Sequence, residues 1–384
     1  MRAVPSPARE AACPHRPPCP GCPRWGEPGL APSALHDLAS LCTAFGLDGP
    51  GVVTGPALGH RHRARLMVRG RAESPKLGLF QAGSHRIVDV PRCGVHHPRI
   101  NEVAAALRRA IRATGTQPYA ERPHAGLLRA VQIAVERASG RAQVALVARS
   151  EDPHSLDALA ETLRAELGEA LQGLFWNGNP ERTNAILGPR FRRIAGEPML
   201  HERIAGAEVF FPPGAFGQSN LPLFERIALR VAGWIPEGAR VVEFHAGCGA
   251  LGLSLVARAA ALVMNEREPA ALEGLARGLE ALPAPLRARI EVAPGPAAEH
   301  ASLVADADCV VVDPPRRGLD PELLAALCAA PPARLVYVSC ALAPFLREAR
   351  ALAQVGLVPA EIDAFALFPF TEHVETVALF ERAL

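Results

Sequence analysis

The 384-residue sequence has almost no lysine, no long apolar run and no large excess of either charge. No stretch approaches the ~20 apolar residues of a membrane span, and the first residues lack the apolar run of a secretory signal. The formal net charge of +2 does not by itself indicate nucleic-acid binding. Lys76 is the only lysine; arginine suits phosphate recognition, but we attribute this bias to a GC-rich genome. We therefore expect a cytoplasmic protein without membrane contact.

Three of the nine cysteines, Cys13, Cys19 and Cys22, lie within ten residues of one another. Structural disulfides are rare in the cytosol, so a metal-binding or catalytic role is favoured. The isolated Cys93 completes a set of four thiols, which suits a [4Fe–4S] cluster or a zinc ion. Zinc sites usually show two C-x2-C pairs and only one is present, so the spacing favours a cluster, then zinc, then a disulfide. Three nearby histidines are alternative ligands that we expect to be solvated instead: His15, His96 and His97.

The composition changes twice along the chain, and we find no internal repeat. The N-terminal stretch is rich in proline and cysteine and has no periodicity, which predicts a loop. The central stretch "RAVQIAVERASGRAQVALVAR" predicts strands at 129–137 and 142–149, and a helical pattern follows at 155–171. The regions predicted from these changes are a cysteine-rich loop with a lead helix at 1–49, a β-rich central domain at 50–204 and a third domain at 205–384.

Short apolar strands alternate with helices rich in alanine, leucine and arginine after residue 205. The strand segments are "ARVVEFHAG", "AALVMNE", "ARIEVAP", "DCVVVDPP" and "RLVYVSC". This alternation indicates βαβ units and a doubly wound parallel sheet. The last two strand segments, in "VPAEIDAFALFPF" and "HVETVALFER", predict a closing antiparallel hairpin. The predicted fold class is therefore α/β.

A glycine-containing turn follows the first of these strands, where "RVVEFHAG" leads into "GCGALGLSL". Gly247 and Gly249 in that turn let backbone approach a ligand at a helix N-terminus. Glu266 ends the second strand, where a carboxylate can bind ribose hydroxyls, and Asp313 ends the fourth. The letters GCGALG also match the NAD and FAD fingerprint. However, the spacing from Glu243 to the glycines, together with "DPP", is typical of S-adenosylmethionine (AdoMet) methyltransferases.

A cysteine and a carboxylate are predicted near the same sheet edge. Cys340 ends the strand "RLVYVSC", where it is either a nucleophile or a small buried residue. Glu375 begins the last strand among apolar residues. Glu372 and His373 are competing candidates for an acid–base role.

Six motifs occur in order along the second half of the chain. They are "FGQSN" (216–220), "EFHAGCG" (243–249), "NE" (265–266), "DPPRRG" (313–318), "VYVSC" (336–340) and "FPFTEHVET" (368–376). In sequence and spacing they resemble the RNA uracil-C5 methyltransferases, which make 5-methyluridine in 23S rRNA and in tRNA. The resemblance implies a class I AdoMet methyltransferase fold. The cofactor site expected from the glycine loop and the resemblance together is Gln218, His245, Gly247, Gly249, Glu266 and Asp313.

The resemblance also implies how the reaction proceeds. Cys340 would add to C6 of uracil, C5 would take the methyl group, and Glu375 would remove the C5 proton so that the thiol can leave. Cluster-bearing members carry C-x5-C-x2-C and a fourth cysteine about seventy residues on. This implies that the cysteines hold a [4Fe–4S] cluster with a structural role: Cys13, Cys19, Cys22 and Cys93.

The expected partner is RNA. The resemblance implies that the central domain at 50–204 binds it. Segment 60–71, "HRHRARLMVRGR", combines arginine with strand-like alternation, and family members have a comparable basic strand there, which favours the RNA surface over a merely solvated face. Phosphate contacts on such a surface supply salt-dependent affinity. Cytosine-C5 enzymes carry a cysteine after the proline of the fourth-strand motif, and its absence from "DPPRRG" favours uracil. We expect a monomer acting on 23S rRNA, because the cluster is commoner in members that modify rRNA. The alternatives are the same chemistry on tRNA, and a non-catalytic RNA-binding or assembly factor.

Several positions depart from the family pattern. Only twelve residues precede Cys13, so we expect that the oligonucleotide-binding barrel of many members is absent. Ala250 stands where asparagine is common, Ala341 and Leu342 replace an Asn-Pro pair, and Pro296 falls near a usual carboxamide. Each replacement removes a contact worth about 1 kcal/mol. The nucleophile and the base are retained.

Overall fold

The computed structural model describes residues 12–383; residues 1–11, at the start of the expected N-terminal region, and Leu384 lie outside it. A loop over 12–31 leads into helix α1 (Pro32–Ala44). Proline fits the first helical turn because its missing N–H would have no partner there. Strand β1 (Gly51–Val53) follows.

The central sheet has the strand order β4-β3-β2-β5-β6-β7-β8. Its strands are β2 (Arg63–Arg71), β3 (Ser74–Phe80), β4 (Ile87–Asp89), β5 (Leu128–Val135), β6 (Ala142–Ala148), β7 (Leu171–Gly178) and β8 (Arg190–Gly196). The hairpin predicted at 129–149 is confirmed as the antiparallel pair β5 and β6. Neighbouring strands run antiparallel except β6 and β7, which are parallel.

Two helices cover one face of the central sheet, α2 (Pro98–Thr114) and α3 (Asp157–Leu167). The predicted helix at 155–171 is confirmed as α3, although it ends earlier because a short 3₁₀ turn precedes β7. No helix is predicted at α2, yet its signals are present. The His97 side chain accepts the Arg99 N–H at 3.2 Å, and Gly115 ends the helix in the left-handed conformation at φ +65°.

A two-stranded hairpin joins the central sheet to the rest of the chain: β9 (Leu200–Ile204) and β10 (Ala207–Phe211). Its apolar side chains, including those of Val209 and Phe211, belong to the core of the C-terminal half. The boundary expected between residues 204 and 205 falls inside this hairpin.

The C-terminal sheet has the order β1-β16-β17-β15-β14-β11-β12-β13. Its remaining strands are β11 (Arg240–Phe244), β12 (Ala261–Glu266), β13 (Ile290–Pro294), β14 (Cys309–Val312), β15 (Arg334–Ser339), β16 (Leu357–Phe365) and β17 (Glu375–Arg382). Strands β11 to β15 pair in parallel, and β17 runs antiparallel to β15 and β16. Central strands such as "CVVV" are buried along their whole length, as expected where helices cover both faces. The predicted parallel sheet with a closing hairpin is confirmed.

Helices pack on both faces of this sheet. They are α4 (Leu221–Trp234), α5 (Gly252–Leu255), α6 (Pro269–Ala281), α7 (Ala284–Arg287), α8 (Pro321–Ala329) and α9 (Leu342–Gln354). Leu38 and Leu41 of α1 pack with residues of α8 and α9 in a hydrophobic core against this sheet. Strand β1 pairs in parallel with β16, so residues 51–53 lie in this sheet although the sequence predicts them in the central domain. Within residues 12–383 no helix is long and apolar enough to cross a membrane.

Candidate active site

Strands β14, β15 and β17 carry three functional side chains to one edge of the C-terminal sheet. Ser339, the last residue of β15, pairs with Thr376, so Cys340 lies opposite Glu375. Strand β14 ends beside β15 and is followed directly by Asp313. The structure therefore brings together the predicted nucleophile, the predicted base and one predicted cofactor ligand.

Glu375 is fully buried, and neither of its carboxyl oxygens has a hydrogen-bond partner. Burial raises its pKa well above the usual range, and the nearby Asp313 raises it further, while Arg316 opposes the shift. A buried carboxyl without partners is costly to keep in a fold. Such groups occur where chemistry requires a tuned proton acceptor.

Cys340 is half-buried, and its thiol is a weak acid in this state. Burial raises the pKa of Cys340 to about 11, with further contributions from Glu375 and Asp313, and Arg316 lowers it. Burial also raises the pKa of Asp313 to about 7. Arg316, in the "DPPRRG" segment, is therefore the cation of this cluster, and the sequence analysis does not assign it a role.

A pocket opens beside this cluster, where the glycine turn leaves β11. Gln218, His245, Gly247 and Asp313 of the predicted cofactor set line it. Gly247 has φ +58°, and a Cβ built on it would meet no atom within 4 Å, so its backbone faces open space. The backbone of His245 also has a positive φ, +62°, and the Nε2 of its ring is buried without a hydrogen-bond partner.

Two acidic residues hold the glycine turn. Glu266 accepts the Gly247 N–H through Oε2 at 2.7 Å, and its Oε1 accepts the N–H groups of the next two residues at 2.7 Å each. Glu243 accepts the Gly252 N–H at 3.2 Å through Oε1, and its Oε2 is buried without a partner. Burial raises the pKa of Glu243 well above its usual range. Glu266 thus holds the turn at Gly247, and Glu243 holds the start of the following helix at Gly252.

Two members of the predicted set, Glu266 and Gly249, do not line the pocket. Glu266 holds the turn from behind through the Gly247 N–H, whereas Gly249 faces the core. Gly249 has φ +83°, and a Cβ there would stand 2.7 Å from Leu253 and 2.8 Å from Leu275. Glycine is required at this position for core packing. Phe216, the first residue of the "FGQSN" motif, has no predicted role of its own, yet it lines the pocket with 71% of its surface exposed.

A larger cleft, of about 330 Å³, includes Arg316 of this cluster in its lining. The cleft is lined by Cys22, Arg61, Arg316, Phe368 and His373, among others. Since Arg316 also lowers the pKa of the predicted nucleophile and of the predicted base, the cleft adjoins that cluster. His373, a competing acid–base candidate, lies on the wall of this cleft and is exposed.

The four predicted cluster ligands, Cys13, Cys19, Cys22 and Cys93, line one cavity, and none is in a disulfide. Burial, followed by the proximity of the three other thiols, raises the pKa of Cys22 to about 12. Among residues 12–383 no group of three or more His, Cys, Asp or Glu side chains is arranged to hold a metal ion. His96, expected to be solvated, is 5% exposed, because its segment pairs with residue 61; that prediction is wrong.

The cysteine loop is braced against the segment that precedes Glu375. The ring of Trp25 lies 4.7 Å from that of Phe370, and the Arg24 N–H donates to the Phe370 carbonyl at 2.9 Å. Phe370 is fully buried and has φ +65°, an uncommon conformation for a bulky residue. The cysteine loop, which lies more than 300 residues before Glu375 in sequence, thus forms a wall of the cleft.

The basic segment 60–71 does not face one surface. Arg61 lines both the cleft and the cysteine cavity, and Arg65 is exposed. Arg69 pairs with Glu121 at 3.0 Å. The guanidinium of Arg63 is directed inward instead, with its Nη2 sealed from solvent. The expectation of an RNA-facing side chain is therefore wrong for Arg63.

Known proteins share both the sequence and the fold. Residues 304–383 match the family model described as tRNA (Uracil-5-)-methyltransferase. The crystal structure of Pyrococcus abyssi tRNA (uracil-54, C5)-methyltransferase with S-adenosyl-L-homocysteine has the same fold, with a TM-score of 0.74 and 24% identity over 91% of this chain and 83% of that one. A Protochlamydia amoebophila protein named as an uncharacterized RNA methyltransferase is 35% identical over 379 residues, 97% of each chain. The chain belongs to the family of these RNA methyltransferases.

This RNA methyltransferase is also 32% identical to an uncharacterized RNA methyltransferase of Gloeobacter violaceus, over 85% of this chain and 71% of that protein. Family membership confirms the sequence-based expectation of an AdoMet-dependent enzyme that methylates RNA. The Rossmann-like methyltransferase fold is likewise confirmed.

Proposed function

We propose that this enzyme methylates C5 of a uridine in RNA, with Cys340 as nucleophile and Glu375 as general base. The observation that carries the proposal is their meeting at one strand edge, close to Asp313, which lines the glycine-turn pocket, and to Arg316, which lines the cleft. Glu375 has no structural partner that would explain a buried carboxyl. A role in proton transfer accounts for it.

Uracil C5 is a poor nucleophile, and it becomes a better one when the Cys340 sulfur bonds to C6. The resulting enolate places electron density on C5, which then bonds to an electrophilic methyl group. A thiol with a pKa of about 11 must first lose its proton, and Arg316 is the cation that favours the thiolate. After methylation Glu375 takes the C5 proton, for which it must first be ionised; Arg316, which opposes the rise of its pKa, favours that state. The electron pair of that C–H bond re-forms the C5–C6 double bond, and the sulfur leaves C6.

AdoMet, when bound, supplies the methyl group as a sulfonium. We assign its site to the pocket lined by Gln218, His245, Gly247 and Asp313. The open face of Gly247 gives the ligand room, and the unpartnered Nε2 of His245 gives it a polar contact. Glu266 already holds the Gly247 N–H at 2.7 Å and stands where carboxylates bind ribose in related folds.

We assign the cleft to the target uridine and its neighbours. The base must leave its stack, because the thiolate attacks from above the ring plane. Arg61 and Arg316 offer guanidinium groups for phosphate, and Phe368 and His373 offer rings for stacking, which is worth about 1–3 kcal/mol per base. RNA affinity should therefore fall steeply with salt.

We further propose that Cys13, Cys19, Cys22 and Cys93 hold a [4Fe–4S] cluster with a structural role. Their thiols line one cavity. A four-iron cluster is wider than a single ion, so its thiolates stand further apart than the ligands of one ion. Arg61 lies close enough to Cys93 and Cys22 to balance part of the negative charge of four thiolates.

The proposed substrate is 23S rRNA, because cluster-bearing members more often modify rRNA. The second candidate is tRNA, which the matching family model and the Pyrococcus relative favour by their names. We also propose that the enzyme acts as a cytoplasmic monomer.

Trapping on RNA that contains 5-fluorouridine tests these assignments together. Fluorine cannot be removed as a proton, so the Cys340 adduct should persist through denaturing electrophoresis, on 23S rRNA and not on tRNA. Cys340→Ala should form no adduct, whereas Cys328→Ala, on the distant helix α8, should match wild type. Adduct on tRNA alone would support the second substrate, and no adduct on either RNA would contradict the covalent mechanism.

A further inference from the structure

Arg63 begins strand β2 of the central sheet, yet its guanidinium lies under the loop that lines the cofactor pocket. Its Cζ is 4.4 Å from the centre of the Phe211 ring, and its Nη1 donates to the Ala215 carbonyl at 3.4 Å. A Cβ built on Gly217 would stand 2.7 Å from Arg63 Cζ and 2.7 Å from Nη2. Phe211 and Gly217 both line the pocket.

This guanidinium is in an unfavourable setting for a cation. Its Nη2 is sealed from solvent and has no hydrogen-bond partner. Burial lowers the pKa of Arg63 to about 10, opposed by Cys248 and Glu202, so the group stays charged at neutral pH. The charge of Glu202 acts on it, but Arg137 already donates to that carboxylate at 2.8 Å. A surface arginine would avoid this cost, so the position calls for an explanation.

The same end of β2 also holds the loop through its backbone. The N–H of His62 donates to the Ser219 carbonyl at 2.7 Å. The loop 215–219 is thus tied to residues 62–63 at both ends, by a backbone bond at one and a guanidinium at the other. Gln218, a predicted cofactor ligand that is 8% exposed, lies between the two ties.

We propose that Arg63 is a positioning residue for the cofactor pocket: its planar group forms the floor under Gly217 and Phe211 and thereby places Gln218 against AdoMet. A planar guanidinium can stack on a ring and donate in its own plane at once, which the point charge of lysine cannot do. This arrangement also explains why residue 217 is glycine, since any side chain there would displace the Arg63 guanidinium. The central domain therefore contributes to cofactor binding as well as to the RNA surface. This inference rests on the proposed assignment of the pocket.

The test compares Arg63→Met and Arg63→Lys with wild type and with Arg141→Met. Arg141 is a matched control, because it is another half-buried arginine of the central domain that donates to a backbone carbonyl, that of Leu171 at 3.1 Å. S-adenosylhomocysteine affinity is measured by calorimetry, RNA affinity by filter binding, and thermal unfolding on each protein. We expect R63M to weaken S-adenosylhomocysteine binding at least tenfold and R63K to fall between, with RNA affinity within threefold of wild type. In turnover assays, R63M should raise the KM for AdoMet while kcat at saturating AdoMet changes little.

The inference is overturned if R63M and R63K bind S-adenosylhomocysteine within twofold of wild type. It is also overturned if both lose S-adenosylhomocysteine and RNA binding together with a large drop in Tm, which would indicate a general structural role. Failure of the pocket assignment has a different signature, because Asp313→Asn would then leave S-adenosylhomocysteine binding intact. As a second measurement, Gly217→Ala should weaken binding in wild type but much less in Arg63→Ala, where the clash is gone.

Discussion

Replacing Glu375 with glutamine removes the proposed base and keeps its volume. A general base typically contributes about 10²- to 10⁴-fold to rate, or about 3 to 5 kcal/mol of barrier. Because proton removal follows methyl transfer, the block should fall late in the reaction. Glu375→Gln should therefore form the methylated Cys340 adduct on ordinary RNA and release it slowly.

A quenched single-turnover experiment with labelled methyl donor measures this directly. Denaturing gels should show labelled RNA attached to protein in Glu375→Gln, while the wild type shows free methylated RNA. Glu372→Gln is the matched control, since that carboxylate is exposed on the cleft wall and lies 3.8 Å from Arg24. Turnover by Glu375→Gln within fivefold of wild type would refute the assignment of the base.

The same substitution has a consequence for stability. The raised pKa of Glu375 means that the folded protein holds a proton that the unfolded chain has lost above pH of about 4.3. Stability from this group is therefore present at low pH and lost as pH rises toward the folded-state pKa, by about 1.4 kcal/mol per pH unit. Urea unfolding should show Glu375→Gln gaining on wild type between pH 5 and pH 8. Parallel curves would contradict the raised pKa.

Three further predictions concern the surroundings of the site. Since the pKa of Cys340 is about 11, the rate of its alkylation in RNA-free enzyme should rise about tenfold per pH unit between pH 7 and 9. Arg316→Gln should slow this alkylation at every pH, as measured by peptide mass spectrometry. Alkylation faster in Arg316→Gln than in wild type would refute the role of Arg316. The buried Glu348 accepts a hydrogen bond from the Tyr337 hydroxyl at 2.6 Å. Glu348→Ala should therefore lower the free energy of urea unfolding by about 3 kcal/mol, and Glu348→Gln should lower it less. Equal losses in the two variants would count against a contribution from this hydrogen bond. Cys93→Ser should lack the iron and sulfide of anaerobically purified wild type, and a full complement would contradict its role as a ligand.

The parts of the fold that could be predicted from sequence are those with local signals. Strands such as "CVVV" and "RLVYVSC" are buried on both faces, so each appears as a bounded apolar run. The closing hairpin then places Cys340 opposite Glu375 by register alone. The glycine turn follows from its letters, although only the coordinates separate Gly247, which faces the pocket, from Gly249, which packs in the core.

The rest depends on contacts between distant segments. Alternation along β2 predicts that Arg63 and Arg65 lie on the same face of the strand. Only the docking of loop 215–219 buries the guanidinium of Arg63 while Arg65 stays exposed. The pairing of β1 with β16 has no local signal, because three residues carry little pattern. The role of Arg316 depends on the loop that follows β14, whose path is fixed by contacts elsewhere, such as the Leu319 N–H to Glu348 at 3.2 Å.

The pairing of the first elements with the last ones affects how the protein is made. Helix α1 and strand β1 pack against α9 and β16, which are translated about 300 residues later. At about 5–20 residues per second, Leu38 and Leu41 wait roughly 15 to 60 s for their partners. During synthesis these apolar side chains are open to chaperones and to other nascent chains. The N-terminal segment therefore completes its packing only after the last strands have left the ribosome.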